Sequence, residues 1–302
     1  MWGVGDLVTN AKEIQEHFKM TDGFDLFCRH WKAVGESKKS VVCIHGIGGH
    51  SEDFRVIGQD LAEDGIEVYA FDLRGFANSK EEALPRGDTS DFNRHLQDVD
   101  EVVDIVRKRH PKNKVYMFGY SLGALYTLWY SANYPDSLDG IILAAPAINY
   151  FSANMPRMDR IKFPFMLLFA PKTLYDSCKN WSYDFKESEE GKIILQDPLY
   201  TTKRSWRWLA GVKRMSDKAL QNASQIEKPT LIILGEKDDT YIRSGVKQVL
   251  ESLATKDKSI QTFPDADHLF YHAFLFGKTT AKYDPAKRKQ VTSVVKYWLN
   301  TH

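Results

Sequence analysis

The sequence predicts a mostly parallel, doubly wound α/β sheet interrupted once by an inserted, mainly helical cap. Three observations lead there. Short apolar runs alternate with amphipathic helical stretches, the pattern of βαβ units and a parallel sheet. The alternation stops near residue 149 and returns near 225. A serine between two glycines, Gly119-Tyr120-Ser121-Leu122-Gly123, stands where one apolar run meets a long helical one. The expected organisation is a first part of the core at 1–148, the cap at 149–224 and the second part of the core at 225–302.

The elements follow in order. "EIQEHFKMTDGFDLFCRHW" alternates polar and apolar residues around a Thr-Asp-Gly turn and reads as a β-hairpin. "SVVCIHG" (40–46) reads as a buried strand, 52–65 as a helix closed by Gly65, and 66–75 as a second strand. The stretch 91–111 places Leu96, Val99, Val102, Val103 and Val106 on one helical face, with Ser90 or Asp91 to cap it and Pro111 to stop it. Strand 114–120, helix 122–134 and strand 140–147 come next. The cap region holds proline-interrupted apolar segments together with Trp181, Trp206 and Trp208. Alternation resumes with a strand at 229–239, a helix at 241–254, a strand at 259–267 and a last helix near 287–300.

Composition narrows the function classes. Hydrophobic content of 43% and charged content of 27% are those of a globular chain. The 41 basic and 40 acidic residues leave a net charge of +1, which gives nucleic acid no electrostatic footprint. Three cysteines without CxxC spacing, Cys28, Cys43 and Cys178, imply neither a disulfide framework nor a zinc site. The first twenty residues lack the basic start and apolar run of a secretory signal, and "FPFMLLFAP" (163–171) is too short to span a bilayer. A cytoplasmic protein is expected, peripheral to a membrane at most.

GxSxG alone is a weak signal, because glycine and serine are common. Its setting, strand then elbow then helix, is the one in which the serine is a nucleophile. A serine hydroxyl needs a base to take its proton and an acid to orient that base. On such a sheet these follow in the order Ser, acid, His, each just beyond a later strand. Asp238 lies beyond "TLIILG" and His268 beyond "SIQTFPDAD", so the catalytic set is Ser121, Asp238 and His268. Asp239 is the alternative acid, but Asp238 stands three residues after Gly235. His268 and His272 have the i, i+4 spacing of a helical metal pair, without the glutamate of HExxH. No metal or cofactor is called for.

The tetrahedral oxyanion of acyl transfer needs backbone donors. One is the N–H of Leu122, after the nucleophile; the other is expected from Ile47 in "HGIGGH" (45–50). That loop matches neither phosphate-binding pattern, GxGxxG or GxxxxGK[ST]. His45 is expected to position it without moving protons.

"HGIGGHSEDF", "DLRGFANS", "LQDVDEVVDIVRKRHP", "FGYSLGA", "GIILAAPA", "DPL" at 197–199, "LIILGEKDD" and "DADH" resemble the α/β-hydrolase superfamily. The resemblance is to its monoacylglycerol lipase, lysophospholipase and serine-aminopeptidase-like branch, and it runs through nearly the whole chain. It implies the α/β-hydrolase fold, the nucleophile, acid and base already named, and the donors Ile47 and Leu122. Two places depart from the family. Arg74-Gly75-Phe76-Ala77-Asn78-Ser79 stands for RGHGxS, and Gly123-Ala124 stands for Gly-Gly.

The resemblance further implies a serine hydrolase acting on a small-molecule carboxylic ester of a medium or long acyl chain. The expected substrate contacts are His45, Gly46, Phe163, Phe165, Met166, Phe169 and Trp206. The apolar cap segment, flanked by Arg157, Arg160, Lys162 and Lys172, suits transient contact with lipid surfaces. The same triad serves thioesterases, peptidases and acyltransferases, because specificity lives in the cap. A non-catalytic receptor or scaffold is the reading from another class.

Overall fold

The computed structural model describes residues 10–148, 155–180, 182–238, 240–264, 266–268 and 285–302, with the backbone alone at 240–243 and 285. Trp181, Asp239 and His272, all singled out by the sequence, lie outside the described residues.

Strands β1 (Lys12–Lys19) and β2 (Asp25–Lys32) form the expected hairpin, its turn closed by Gly23 at φ 85°. Then come β3 (Lys39–Ile44), a short 3-10 turn at Ser51–Phe54, α1 (Arg55–Glu63) and β4 (Ile66–Phe71). They are followed by α2 (Arg94–Arg109), β5 (Lys114–Tyr120), α3 (Leu122–Asn133) and β6 (Gly140–Ala144). The next segment holds α4 (Arg157–Phe169), β7 (Leu174–Asp176), α5 (Tyr183–Glu187), α6 (Glu189–Gln196), β8 (Lys203–Ser205) and α7 (Trp206–Gln221). The chain continues through β9 (Thr230–Gly235), α8 (Thr240–Ser252), β10 (Lys258–Phe263) and α9 (Pro285–Thr301).

Eight strands form one sheet in the order β1-β2-β4-β3-β5-β6-β9-β10, and β7 pairs with β8 separately. Strand β2 runs antiparallel to β1 and β4; the other neighbours are parallel. Parallel strands are covered on both faces, and alternation along β3 shows it. Val42 and Ile44 join the apolar layer of α2, α3 and α7, whereas Val41 and Cys43 join the layer of α1 and α9. The helical period read from 91–111 is met: Val99, Val102, Val103 and Val106 are buried.

Several strands end earlier than expected, β6 at Ala144, β9 at Gly235 and β10 at Phe263 among them, and two boundaries have a visible cause. Strand β4 ends at Phe71 because Asp72 turns to loop amides, accepting from Ser51 N–H at 2.7 Å and Asn78 N–H at 3.0 Å. Helix α2 starts at Arg94 because the Asp91 carboxylate takes the Asn93 N–H at 2.9 Å and holds the chain in a turn.

The order reverses between β3 and β5, so their carboxyl ends open a crevice at a switch point, where ligands bind in such sheets. The 45–50 loop and Ser121 follow those two strands. The 72–79 loop packs beside them. Its Arg74 is buried in a bidentate pair with Asp98 at 2.7 and 2.8 Å and stacks on Phe24, while Phe76 packs 5.0 Å from Trp208 of α7. Phe76 therefore joins the sheet side to α7 by apolar contact.

Ala77, where the family has glycine, sits at φ 40°, a region in which an L side chain costs about 1–2 kcal/mol. Ala77→Gly should therefore stabilise the chain by about 0.5–1 kcal/mol, after allowing for glycine's extra unfolded-state entropy. Urea unfolding reads this directly, and an unchanged or lower midpoint would show that the loop carries no such strain.

Candidate active site

The elbow follows from steric necessity. A Cβ on Gly119 would lie 2.3 Å from the Gly123 carbonyl oxygen, and one on Gly123 would lie 1.9 Å from that of Ile44. Only glycines at both places let β5 turn into α3 over so short a distance. Ser121 between them adopts φ 52° and ψ −111°, a left-handed backbone for a residue with a side chain. Its N–H donates to the Ala144 carbonyl at 2.9 Å, which fixes the elbow to the end of β6.

Two loops beyond later strands meet this corner. The Glu236 and Lys237 amides donate to the carbonyls of Phe263 and Ala266, both at 3.0 Å, and stitch the β9 loop to the β10 loop. Gly235 allows it, since a Cβ there would stand 2.3 Å from the Ala266 oxygen. His268 Nε2 lies 2.9 Å from Ser121 Oγ, and its Nδ1 lies 3.2 and 3.1 Å from the two carboxylate oxygens of buried Asp238. The Tyr120 hydroxyl donates to the His268 carbonyl at 3.1 Å and steadies the histidine from below.

The 45–50 loop lies over the serine: a Cβ on Gly46 would be 3.3 Å from Ser121 Cβ. Among the described residues, the backbone amides of Ile47 and Leu122 donate to no backbone carbonyl. His45 is fully buried. Its Nε2 accepts the Leu73 N–H at 3.0 Å, which leaves the proton on Nδ1 to be donated to the Gly46 carbonyl at 2.8 Å. Burial pushes its pKa down to about 4, so at neutral pH it is an uncharged brace.

The loop is also fastened from the segment between β6 and β9. The Tyr200 hydroxyl donates to the Ile47 carbonyl at 3.0 Å, the Thr201 N–H donates to the Gly48 carbonyl at 2.8 Å, and His50 Nε2 pairs with Asp197 at 3.1 Å. Burial would lower the His50 pKa, but the carboxylates of Asp53, Asp197 and Asp72 outweigh it and hold it at about 9. A free histidine ionises near 6.5, so this group's stabilisation is complete below about pH 6.5 and is lost as pH rises through 9. The loss is at most about 3 kcal/mol. Asp53, pushed up to about 6 by burial, titrates mostly below that window. Asp197→Asn should flatten the alkaline fall in unfolding free energy between pH 6.5 and 9, and parallel curves for the two proteins would contradict the assignment.

The signature of the serine aminopeptidase S33 family matches residues 35–273. The chain belongs to that family. The chain is 27% identical over 265 residues to a putative monoglyceride lipase of Schizosaccharomyces pombe, covering 86% of this chain and 68% of that protein. It is 28% identical to the monoglyceride lipase of Rattus norvegicus, with 84% and 83% covered. The solved monoacylglycerol lipase of Paleococcus ferrophilus superposes with a TM-score of 0.74 at 24% identity, over 92% of this chain and 99% of that one. A soluble variant of the Saccharomyces cerevisiae monoglyceride lipase, bound to a substrate analog, gives 0.74 at 22%, over 98% of each. The fold is the α/β-hydrolase fold.

Within this S33 chain the remaining expected contacts divide by helix face. On α4, Phe163 and Met166 turn inward with Leu167 and pack against the same apolar layer as Leu122 and Ile47. Phe163 meets buried Trp206 edge to face at 5.7 Å. Phe165 and Phe169 lie on the other face and are 63% and 77% exposed. Sequence reasoning missed Tyr120, His50, Asp72 and Tyr200 as supports of the site. His50, Asp72, Tyr120 and Asp197 each lie in a stretch that resembles the family, "HGIGGHSEDF", "DLRGFANS", "FGYSLGA" and "DPL", whereas Tyr200 carries no such signal.

Proposed function

We propose that this protein is a serine hydrolase that cleaves carboxylic esters of medium or long acyl chains, of the monoacylglycerol type, through an acyl-enzyme on Ser121. The observation that carries the reading is the chain of contacts from Ser121 Oγ through His268 to Asp238 on a strained elbow. The names of the curated relatives point to the same substrate class.

His268 Nε2 takes the Ser121 proton as Oγ attacks the ester carbonyl, and Asp238 holds Nδ1–H and stabilises the imidazolium. The Ile47 and Leu122 amides receive the oxyanion. Collapse of the tetrahedral intermediate expels the alcohol with the proton from His268. Water, deprotonated by the same histidine, then attacks the acyl carbon and restores Ser121 with release of the acid.

The segment 149–224 serves as the cap over this site, and its inner apolar face, from Phe163, Met166 and Trp206, receives the acyl chain. Its outer face is apolar too: Met158, Ile161, Phe165, Leu168 and Phe169 are exposed, beside exposed Arg157, Arg160 and Lys162. That face suits a lipid surface. Among the described residues no helix is long and apolar enough to cross a membrane. The three cysteines are buried and free, which fits the cytoplasm.

Hydrolysis of p-nitrophenyl esters from acetate to palmitate tests the reading, with release of glycerol from a monoglyceride as the second assay. Activity should peak at medium or long chains. A peak at acetate would replace the acyl pocket with a small-ester site, and no turnover of any ester would favour the receptor reading. A Phe165→Ser/Phe169→Ser double variant should lose sedimentation with phosphatidylcholine vesicles while keeping activity on soluble esters.

A further inference from the structure

At the other end of the sheet lies a cluster of side chains that the hydrolytic reaction does not use. His30 on β2 stands directly opposite Tyr69 on β4, and their rings stack at 4.0 Å. Glu67, two residues before Tyr69, shares that face by the period of the strand. Its Oε2 lies 2.5 Å from His30 Nε2. His110 closes the C-terminus of α2, which packs on the same face, and its Nε2 is 2.8 Å from the Tyr69 hydroxyl. One ligand atom from each of His30, Glu67 and His110 falls within 4.8 Å of the others. His30 and Glu67 are buried, and His110 is half-buried.

We propose that His30, Glu67 and His110 form a zinc site, with water in the fourth position, that fastens the end of α2 to β2 and β4. Two imidazoles and one carboxylate are a donor set zinc takes. Tetrahedral bonds of about 2.0–2.2 Å place ligand atoms about 3.3 Å apart. The widest separation, at most 4.8 Å, must therefore close by up to about 1.5 Å through rotation of the half-buried His110 at a helix end, and the 2.5 Å His30–Glu67 pair must open by about 0.8 Å as the metal replaces the proton between them. The Tyr69 hydroxyl is 2.8 Å from His110 Nε2, so it orients that ring as an outer partner of the metal when His110 ligates through Nδ1. The site is distinct from the esterase centre. Glu67 is in register with Ser40 on β3, four residues before the end of the strand that carries the 45–50 loop, or about 13 Å along the sheet.

The test is titration of chelator-stripped full-length protein with zinc chloride by calorimetry, beside Glu67→Gln and His110→Gln. The expected result is one equivalent of zinc bound by the wild type, with affinity falling at least about tenfold in each variant. Zinc should also raise the thermal midpoint of the wild type and leave that of the variants in place. Ester hydrolysis by His110→Gln should equal that of the wild type. Absence of saturable binding in the wild type would overturn the proposal and leave a plain His30–Glu67 hydrogen bond. Binding unchanged in His110→Gln but abolished in His268→Ala would also overturn it, by placing the metal at the esterase histidine. Should Glu67→Gln fail to fold, His110→Gln, altered at a half-buried helix end, decides the matter.

Discussion

Ser121→Ala is expected to lower kcat/KM for a long-chain ester by about 10^4- to 10^6-fold. That is a loss of about 5–8 kcal/mol of transition-state stabilisation. The size follows from what the hydroxyl does. Without Oγ no acyl-enzyme forms, and His268 has no proton to take. Binding and the oxyanion donors remain, and they account for the residual rate. The fold should not change, because alanine meets the same backbone strain at φ 52° as serine. The side chain loses only its contact with His268 at 2.9 Å. The variant should therefore melt with the wild type while losing turnover. Retention of even a hundredth of the rate would move the nucleophile elsewhere.

Asp238→Asn should cost about 10^4-fold in kcat with little change in KM. The carboxylate only accepts hydrogen bonds, so it holds the proton on His268 Nδ1 and leaves Nε2 ready to receive one from Ser121. An amide can present its NH2 to Nδ1 instead, which favours the opposite tautomer, with the proton already on Nε2. Both carboxylate oxygens lie within 3.2 Å of Nδ1, and Asp238 is buried, so no other geometry relieves the substitution. Asp239, the neighbouring alternative, gives a control: Asp239→Asn should stay within a few-fold of wild type. If the two results were exchanged, the acid would be Asp239.

The sheet was legible in the sequence because parallel strands buried on both faces leave short apolar runs between amphipathic helices. The elbow was legible because its glycines have no substitute. A Cβ at Gly123 would meet the Ile44 carbonyl at 1.9 Å, so the chemistry and the packing are written in the same five residues. The order of acid and histidine was legible because each follows a strand.

Other features were hidden for physical reasons. Helix α4 is apolar on both sides, so periodicity could not say which of Phe163 and Phe165 faces inward. His45 is expected to position its loop, but the contact through which it does so, the Leu73 amide on its Nε2, is non-local and was not legible. The pairing of His50 with Asp197 joins residues 147 positions apart, across everything from α1 to α6, and no local pattern encodes such a contact. The Glu67–His30–His110 cluster is equally non-local: it depends on strand register and on where α2 ends.

The most direct measurement is the reaction of the purified chain with a fluorophosphonate, read by intact mass and peptide mapping. The account predicts one adduct, on Ser121, formed more slowly in Asp238→Asn and absent in Ser121→Ala. A chain that stays unlabelled, or that carries the adduct on another residue, would contradict the assignment of Ser121 as a nucleophile activated by His268.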